Sequence, residues 1–486
     1  MQSMGELFDD AVAAFKVRLT AAVTEMRAAK DPESFTEAER TVHGLAQGLA
    51  ASITKAVLQE VSNDGERSEE ALSRVRDRAG TKGIQVRVER RRSTKIRTLG
   101  GQVVDVVTPY ATARPRGDGT RATRGAQGTG VYPVLDQLGI LGRSTPALRL
   151  LVSRMVCEAN SVTSARELLS THGVEMDHKA ALRLTYLTTD AALLARTQAM
   201  RATTEGNDAG EFAGRRVVAA VDGGRVNIRR RVAGRPKKGG RKHFVTEWRE
   251  PKILTLYVID DNGKRDRTVA PVIDGTLGDA DAVFDLVRYH LLRMGAHLAT
   301  ELVVLGDGAK WIWNRVETLR QELKLPVERV TQIVDYYHVI ERLTELARSR
   351  SRWSEERRAA WVSDQKEHLC EGRVEAVEAS IKKLLKGKKK ALKTEMDYWE
   401  RNRKRVDYSA FREADHPIGS GAVESSVRRV INLRLKGASI TWIAQHAEGV
   451  IHLRAYAKSG RWSELEEAVL ARTGWRPTAR RIVKAA

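Results

Sequence analysis

Three acidic residues stand where metal-assisted chemistry would need them. Asp222 closes the run Val-Val-Ala-Ala-Val-Asp-Gly-Gly, Asp307 sits in Val-Val-Leu-Gly-Asp-Gly, and Glu424 in Pro-Ile-Gly-Ser-Gly-Ala-Val-Glu-Ser. The two apolar runs read as buried strands that deliver an aspartate at their ends, the edge where open α/β sheets bind ligands. The third segment reads as a helix start, with Ser420 as N-cap and Glu424 in the first turn. Hard carboxylate oxygens from two strands and a helix can converge on a pair of Mg²⁺ ions. Two such ions about 4 Å apart activate the attacking oxygen of a phosphodiester and stabilise the leaving one. Taken singly, each acid has a plainer reading: Asp-Gly is a common turn, and an acid in a first helical turn complements the helix dipole. The combination, in this order, favours the metal reading.

A fourth element joins them. Asp335-Tyr-Tyr-His338 follows the next apolar run and puts Asp335 and His338 on one face of a helix, three residues apart. His338 could contact a scissile phosphate or orient a metal-bound water; alternatively an Asp–His hydrogen bond only fixes the loop. Basic residues surround the same region. Arg229, Arg230, Arg235, Lys237 and Lys238 lie between the first two strands of the region. Gly234-Arg235-Pro236-Lys237-Lys238 resembles the core of a minor-groove AT-hook, without the usual preceding arginine; a phosphate-clamping hairpin loop is the favoured alternative. Arg428, Arg429, Arg434 and Lys436 follow Glu424 and could flank a scissile strand. Trp311 and Trp313, two apart on a helix, face different ways, so that one packs in the core and the other could stack on a base.

The bulk composition agrees. The 486 residues carry 84 Lys and Arg against 62 Asp and Glu, a net charge of +22, which implies a polyanionic partner such as DNA. Only Cys157 and Cys370 occur, which excludes a disulfide framework and a four-cysteine zinc site. The acidic N-terminus lacks a signal peptide's basic start and apolar core, and no apolar run approaches the ~20 residues of a membrane span. A cytoplasmic, nucleoid-associated protein is expected, with no membrane partner.

Positioning these residues requires several domains; about three is the expectation for this length. Residues 1–80 read as helices with apolar stripes, a packing face or a dimerisation face. Residues 81–130 form a small β segment, with Arg90–Arg97 as a basic hairpin candidate, then a Gly-, Arg- and Thr-rich linker. Residues 131–212 are helical. There, Ser161–Tyr186 fits helix, glycine turn, helix: either a DNA-binding helix-turn-helix or an ordinary αα-corner. From 213 to 340 strands expected at Val217–Val221, Lys252–Ile259 and Thr268–Ile273 precede strands that alternate with helices. That order predicts an α/β catalytic core of RNase H-like fold, a mixed sheet with flanking helices. Residues 341–413 read as a charged α-helical insertion, and 414–486 as the final catalytic helix and a helical tail.

Together Asp222, Asp307, Asp335-x-x-His338 and the Gly-Ser-Gly-x-Val-Glu424-Ser helix resemble the DDE transposases of bacterial insertion sequences. The likeness is greatest to the ISKra-type group, related to Mutator-like elements. Gly306-Asp307-Gly308-Ala309-Lys310-Trp311-Ile312-Trp313 matches that group's second acidic segment, and the likeness runs from about residue 215 to 455. Residues 111–130 lack the cysteine-rich knuckle often present in relatives. The resemblance implies that Asp222, Asp307 and Glu424 hold two Mg²⁺, for which Mn²⁺ substitutes. Water would cut at the element ends and the freed 3′-hydroxyl would attack target DNA. Paired ends imply a homodimer or higher oligomer on DNA. The rival expectations are an RNase H-like nuclease or resolvase without strand transfer, and a catalytically silent DNA-binding protein.

Overall fold

The structure is a computed structural model that describes residues 4–81, 84–115, 130–232, 243–437 and 439–474. It divides into two compact units. The first takes the chain up to Ala192 with the stretch from Glu466, and the second runs Leu193–Leu465.

The first unit begins with α1 (Met4–Ala28), α2 (Pro32–Asn63) and α3 (Gly65–Gly80). Asp31 caps α2 by accepting the Ser34 N–H at 2.8 Å, with Pro32 preset for the first helical position. Asp64, in extended backbone, ends α2 and caps α3. Strands β1 (Ile84–Val88), β2 (Arg92–Arg97), β3 (Val103–Thr108), β4 (Ala111–Pro115) and β5 (Gly130–Val131) follow. They form an antiparallel β1-β4-β5 sheet and a separate β2-β3 hairpin. Residues 92–97, in the expected basic hairpin, form a strand paired with β3. Thr94 and Ile96 alternate inward into the core while Lys95 between them is exposed, and the turn falls at 98–102.

Next come α4 (Pro133–Gln137), α5 (Pro146–Glu158), α6 (Val162–Ser170) and α7 (His178–Ala202). Leu148, Val152, Ala165, Leu169 and Leu184 weld α5, α6 and α7 around one core. Gly173, at φ 78°, makes the turn between α6 and α7. The expected second helix, ending near Tyr186, extends to Ala202.

The second unit contains a mixed five-stranded sheet, built from β6 (Arg216–Gly223), β9 (Lys252–Ile259), β10 (Val272–Thr276), β11 (Glu301–Gly306) and β12 (Val330–Val334) in the order β10-β9-β6-β11-β12. Between β6 and β9 runs a hairpin, β7 (Val226–Arg231) and β8 (Phe244–Arg249), which forms its own two-stranded sheet. The pairs β10-β9 and β9-β6 are antiparallel, and β6-β11 and β11-β12 parallel. β6 and β9 are buried almost end to end, as continuous apolar runs in a sheet covered on both faces should be. β10 starts four residues later than expected, because the chain from 261 to 271 is spent on a turn and irregular segment before the strand.

Helices α8 (Ala280–Arg293) and α9 (Lys310–Glu322) link β10 to β11 and β11 to β12. After α10 (Tyr336–Arg348) comes the helical insertion: α11 (Glu355–Cys370), α12 (Val374–Leu384), α13 (Lys389–Asn402) and α14 (Tyr408–Glu413). Then α15 (Gly421–Val427) packs on β6 and β9, α16 (Ala444–Ser459) packs on β10, and α17 (Trp462–Arg472) follows. At the α16 contact Asp274 lies fully buried. It accepts from His452 at 2.9 Å and His290 at 3.0 Å and pairs with Arg196 at 3.2 Å. Burial alone would raise its carboxyl, but these cations and donors outweigh it and hold it well below the usual range. Among the described residues no helix is long and apolar enough to cross a membrane.

Candidate active site

The site forms at one end of the three parallel strands. Gly306 of β11 is in register with Val221 of β6 and with Val334 of β12. The next residue of each strand is Asp222, Asp307 and Asp335, so three aspartates form one row across the sheet edge. The Asp222 carboxylate accepts its neighbour's Gly223 N–H at 2.6 Å, and that of Asp307 accepts Ala309 N–H at 3.0 Å.

Glu424 reaches the same end from α15. That helix is pinned to the sheet by a buried hydroxyl pair, Thr255 Oγ1 to Ser426 Oγ at 2.9 Å. The chain must pass close here. A Cβ on Gly224 would stand 2.5 Å from the Ile431 side chain, so glycine after Asp222-Gly223 is what lets α15 and the following turn approach β6. Ser420 occupies the N-cap position, but its hydroxyl does not cap the backbone. It donates instead to Glu424 Oε1 at 3.2 Å, while its own N–H is held by Asp335.

Asp335 is the hub of this arrangement. It is fully buried, caps α10 by accepting Tyr337 N–H (2.6 Å) and His338 N–H (3.0 Å) on Oδ1, and accepts Ser420 N–H (2.5 Å) on Oδ2. One carboxylate thus ties the end of β12 to the start of α15. Burial raises its pKa, but the bonds from His338 and Ser420 win and lower it.

His338 Nδ1 lies 3.7 Å from Asp335 Oδ1, an ion-pair distance rather than a hydrogen bond. Asp335, then the charges of Asp222 and Asp307, raise the imidazole to about 9 against partial burial, so it is cationic at neutral pH. The Asp222 carboxyl is raised as well. Burial raises it, and the charges of Asp307 and Glu424 add to that, against the Gly223 N–H and His338. Asp222 thus feels the charges of Asp307, Glu424 and His338, and His338 those of Asp222 and Asp307.

The carboxylates stand at one end of the sheet without closing into a ligand shell. Among the described residues no three His, Cys, Asp or Glu side chains are gathered closely enough to grip one ion. The donors nonetheless suit a hard divalent cation, which commonly takes only one or two carboxylates and keeps its waters. Asp222 and Asp307, side by side and mutually repelling, are the pair a cation would relieve.

Of the other expected residues, Arg229 and Arg230 are exposed on β7, with Arg229 6.0 Å from the Phe244 ring. Arg235, Lys237 and Lys238 lie outside the described residues. Arg428 and Arg429 are on a π-helical turn that continues α15, and Arg428 and Lys436 are exposed. Arg434 is not beside them on the surface. It is buried, with its guanidinium 5.2 Å from the Trp442 ring, since the helix has ended and the chain turns inward. Trp313 is the core-facing tryptophan, 8% exposed and covered by Arg405 at 4.8 Å. Trp311 is half-buried between Phe284 (6.3 Å) and the Lys252 ammonium (5.3 Å).

The insertion also reaches the site, through a residue that sequence reasoning missed. Tyr398 of α13 lies against Gly308, where a Cβ would meet its ring at 2.2 Å. Arg342 lies over the Tyr398 ring, 4.0 Å from its centroid, and is held by two bonds to Glu395 at 2.8 and 2.9 Å. No spacing rule links residue 308 to residue 398; the only sequence signal was glycine on both sides of Asp307.

Compared with family models, curated proteins and solved structures, the chain matches none.

Proposed function

We propose that this chain is a DNA transposase whose catalytic core is of RNase H-like fold. The observation that carries the reading is the row of Asp222 and Asp307 on adjacent parallel strands, with Glu424 brought to the same edge by a pinned helix. Three early antiparallel strands followed by two parallel ones joined through helices is the order that fold expects. A net charge of +22 supports nucleic acid as the substrate.

Asp222 and Asp307, with Glu424 facing them, would hold the Mg²⁺ ions, which supply activation of the attacking oxygen and charge relief on the leaving one. His338, held cationic by Asp335, would donate to a phosphate oxygen beside the aspartates. Arg229, Arg230, Arg428 and Lys436, all exposed, would grip backbone phosphates around the cut.

The test is incubation with end-labelled DNA flanking the protein's own reading frame, with and without Mg²⁺, beside Asp307→Ala. Metal-dependent cuts at defined ends, lost in the variant, support the reading, and joined products separate a transposase from a simple nuclease. Equal cutting by both proteins would sink it.

A further inference from the structure

A cleft of about 220 Å³ opens between the start of α9 and the end of α13, one residue along the chain from Asp307. Its wall carries Gly308, Lys310, Trp313, Asn314, Arg401 and Arg405, and no acidic residue. Neither Lys310, Arg401 nor Arg405 is ion-paired to a carboxylate among the described residues.

Arg405 is the informative member. Its Nε donates to Gln332 at 2.8 Å and its Nη1 to the Arg401 carbonyl at 2.8 Å, so the guanidinium is oriented by neutral acceptors alone. Burial without a counter-charge lowers its pKa from the usual arginine range. An oriented, half-buried and uncompensated guanidinium is stabilised by an anion. The Trp313 indole N–H is buried with no partner. Since Arg405 covers the ring, Trp313 offers a donor here rather than a stacking face.

We propose that this cleft is a phosphate-binding subsite that holds a backbone phosphate of a nucleic-acid strand next to the acidic row. Its volume, that of roughly seven waters, suits a phosphate with its hydration better than a stacked nucleoside. The source of the phosphate rests on the function proposed above; the anion site itself does not.

The experiment is therefore done without catalysis. A fluorescent single-stranded oligonucleotide is titrated with the full chain in EDTA across a range of salt. Proteins compared are wild type, Lys310→Glu/Arg401→Glu, and Lys382→Glu/Lys383→Glu, a control with the same charge change on exposed positions of α12. The cleft variant is expected to bind at least tenfold more weakly, with a salt slope reduced by about 1.4, the share of two phosphate contacts on a single strand. The control should lose less than threefold. Equal losses in both variants would overturn the subsite. So would tight, cleft-dependent binding of pyrophosphate with no oligonucleotide binding, which would assign the cleft to a free phosphate compound. The Mg²⁺ cleavage assay of the wild type described above separates the two proposals: cleft-dependent binding by a wild-type chain that never cuts DNA upholds the subsite while the transposase reading falls.

Discussion

Replacing Asp335 with asparagine should loosen one particular amide. The two oxygens of Asp335 do different jobs: Oδ1 caps α10 through Tyr337 and His338, and Oδ2 takes the Ser420 N–H at the start of α15. Asparagine keeps one oxygen and caps a helix as well as aspartate does, so the α10 cap survives. The amide nitrogen then faces the Ser420 N–H, donor against donor. A hydrogen bond to a charged group contributes about 1.5–3 kcal/mol. At about 1.4 kcal/mol per tenfold, local opening at Ser420 should become roughly 10- to 150-fold more frequent. Hydrogen–deuterium exchange followed by mass spectrometry reads this directly in peptides covering Ser420 and covering Tyr337–His338. Asp335→Asn should speed only the first, and Asp335→Ala both. Unchanged exchange at Ser420 in Asp335→Asn, within threefold, would refute the idea that this carboxylate holds the third acid's helix in place.

Gly308→Ala should cost about 1–3 kcal/mol, since its Cβ would overlap the Tyr398 ring at 2.2 Å and push α13 away; a thermal melt unchanged to within a degree would contradict that contact. Acid should destabilise the second unit in two windows. His290 is buried and neutral, with its pKa lowered by burial to about 4 from 6.5. The unfolded chain therefore binds the extra proton first, and on the order of 2–3 kcal/mol present above pH 6.5 is lost as pH falls towards 4. Burial would raise the Glu301 carboxyl, but bonds from His416, Thr331 and Arg216 hold it at about 2, so its contribution persists to lower pH and disappears between 4.5 and 2. Unfolding midpoints of wild type and His290→Gln between pH 7 and 4.5 check the first window: the variant should show the flatter slope, and parallel slopes would count against it.

What could be read in advance follows from locality. β6 and β11 were legible because an apolar run followed by Asp-Gly states both a buried strand and where it stops. Glu424 was legible because Gly-Ser-Gly marks a helix start, although Ser420 uses its hydroxyl on Glu424 and not on the backbone. A hairpin loop was favoured at 234–238, but the strands β7 and β8 that flank it were not placed, because β8 is exposed along its whole length and no apolar alternation announces it. Long-range partnerships were invisible for a different reason. The carboxylate of Asp335 meets an amide of residue 420, Gly308 meets Tyr398, and Asp274 gathers Arg196, His290 and His452 from three helices. Each depends on packing, which periodicity does not encode. Arg434 shows the converse error: a charge taken for surface lies buried on an aromatic ring once the helix ends.

The most direct test of the central claim, that Asp222 and Asp307 share a cation, is Mn²⁺ titration of the DNA-bound protein followed by electron paramagnetic resonance. Wild type should take up Mn²⁺ that Mg²⁺ displaces, and Asp222→Asn/Asp307→Asn, folded to the same extent by circular dichroism, should not. Equal uptake by the two proteins would contradict the account.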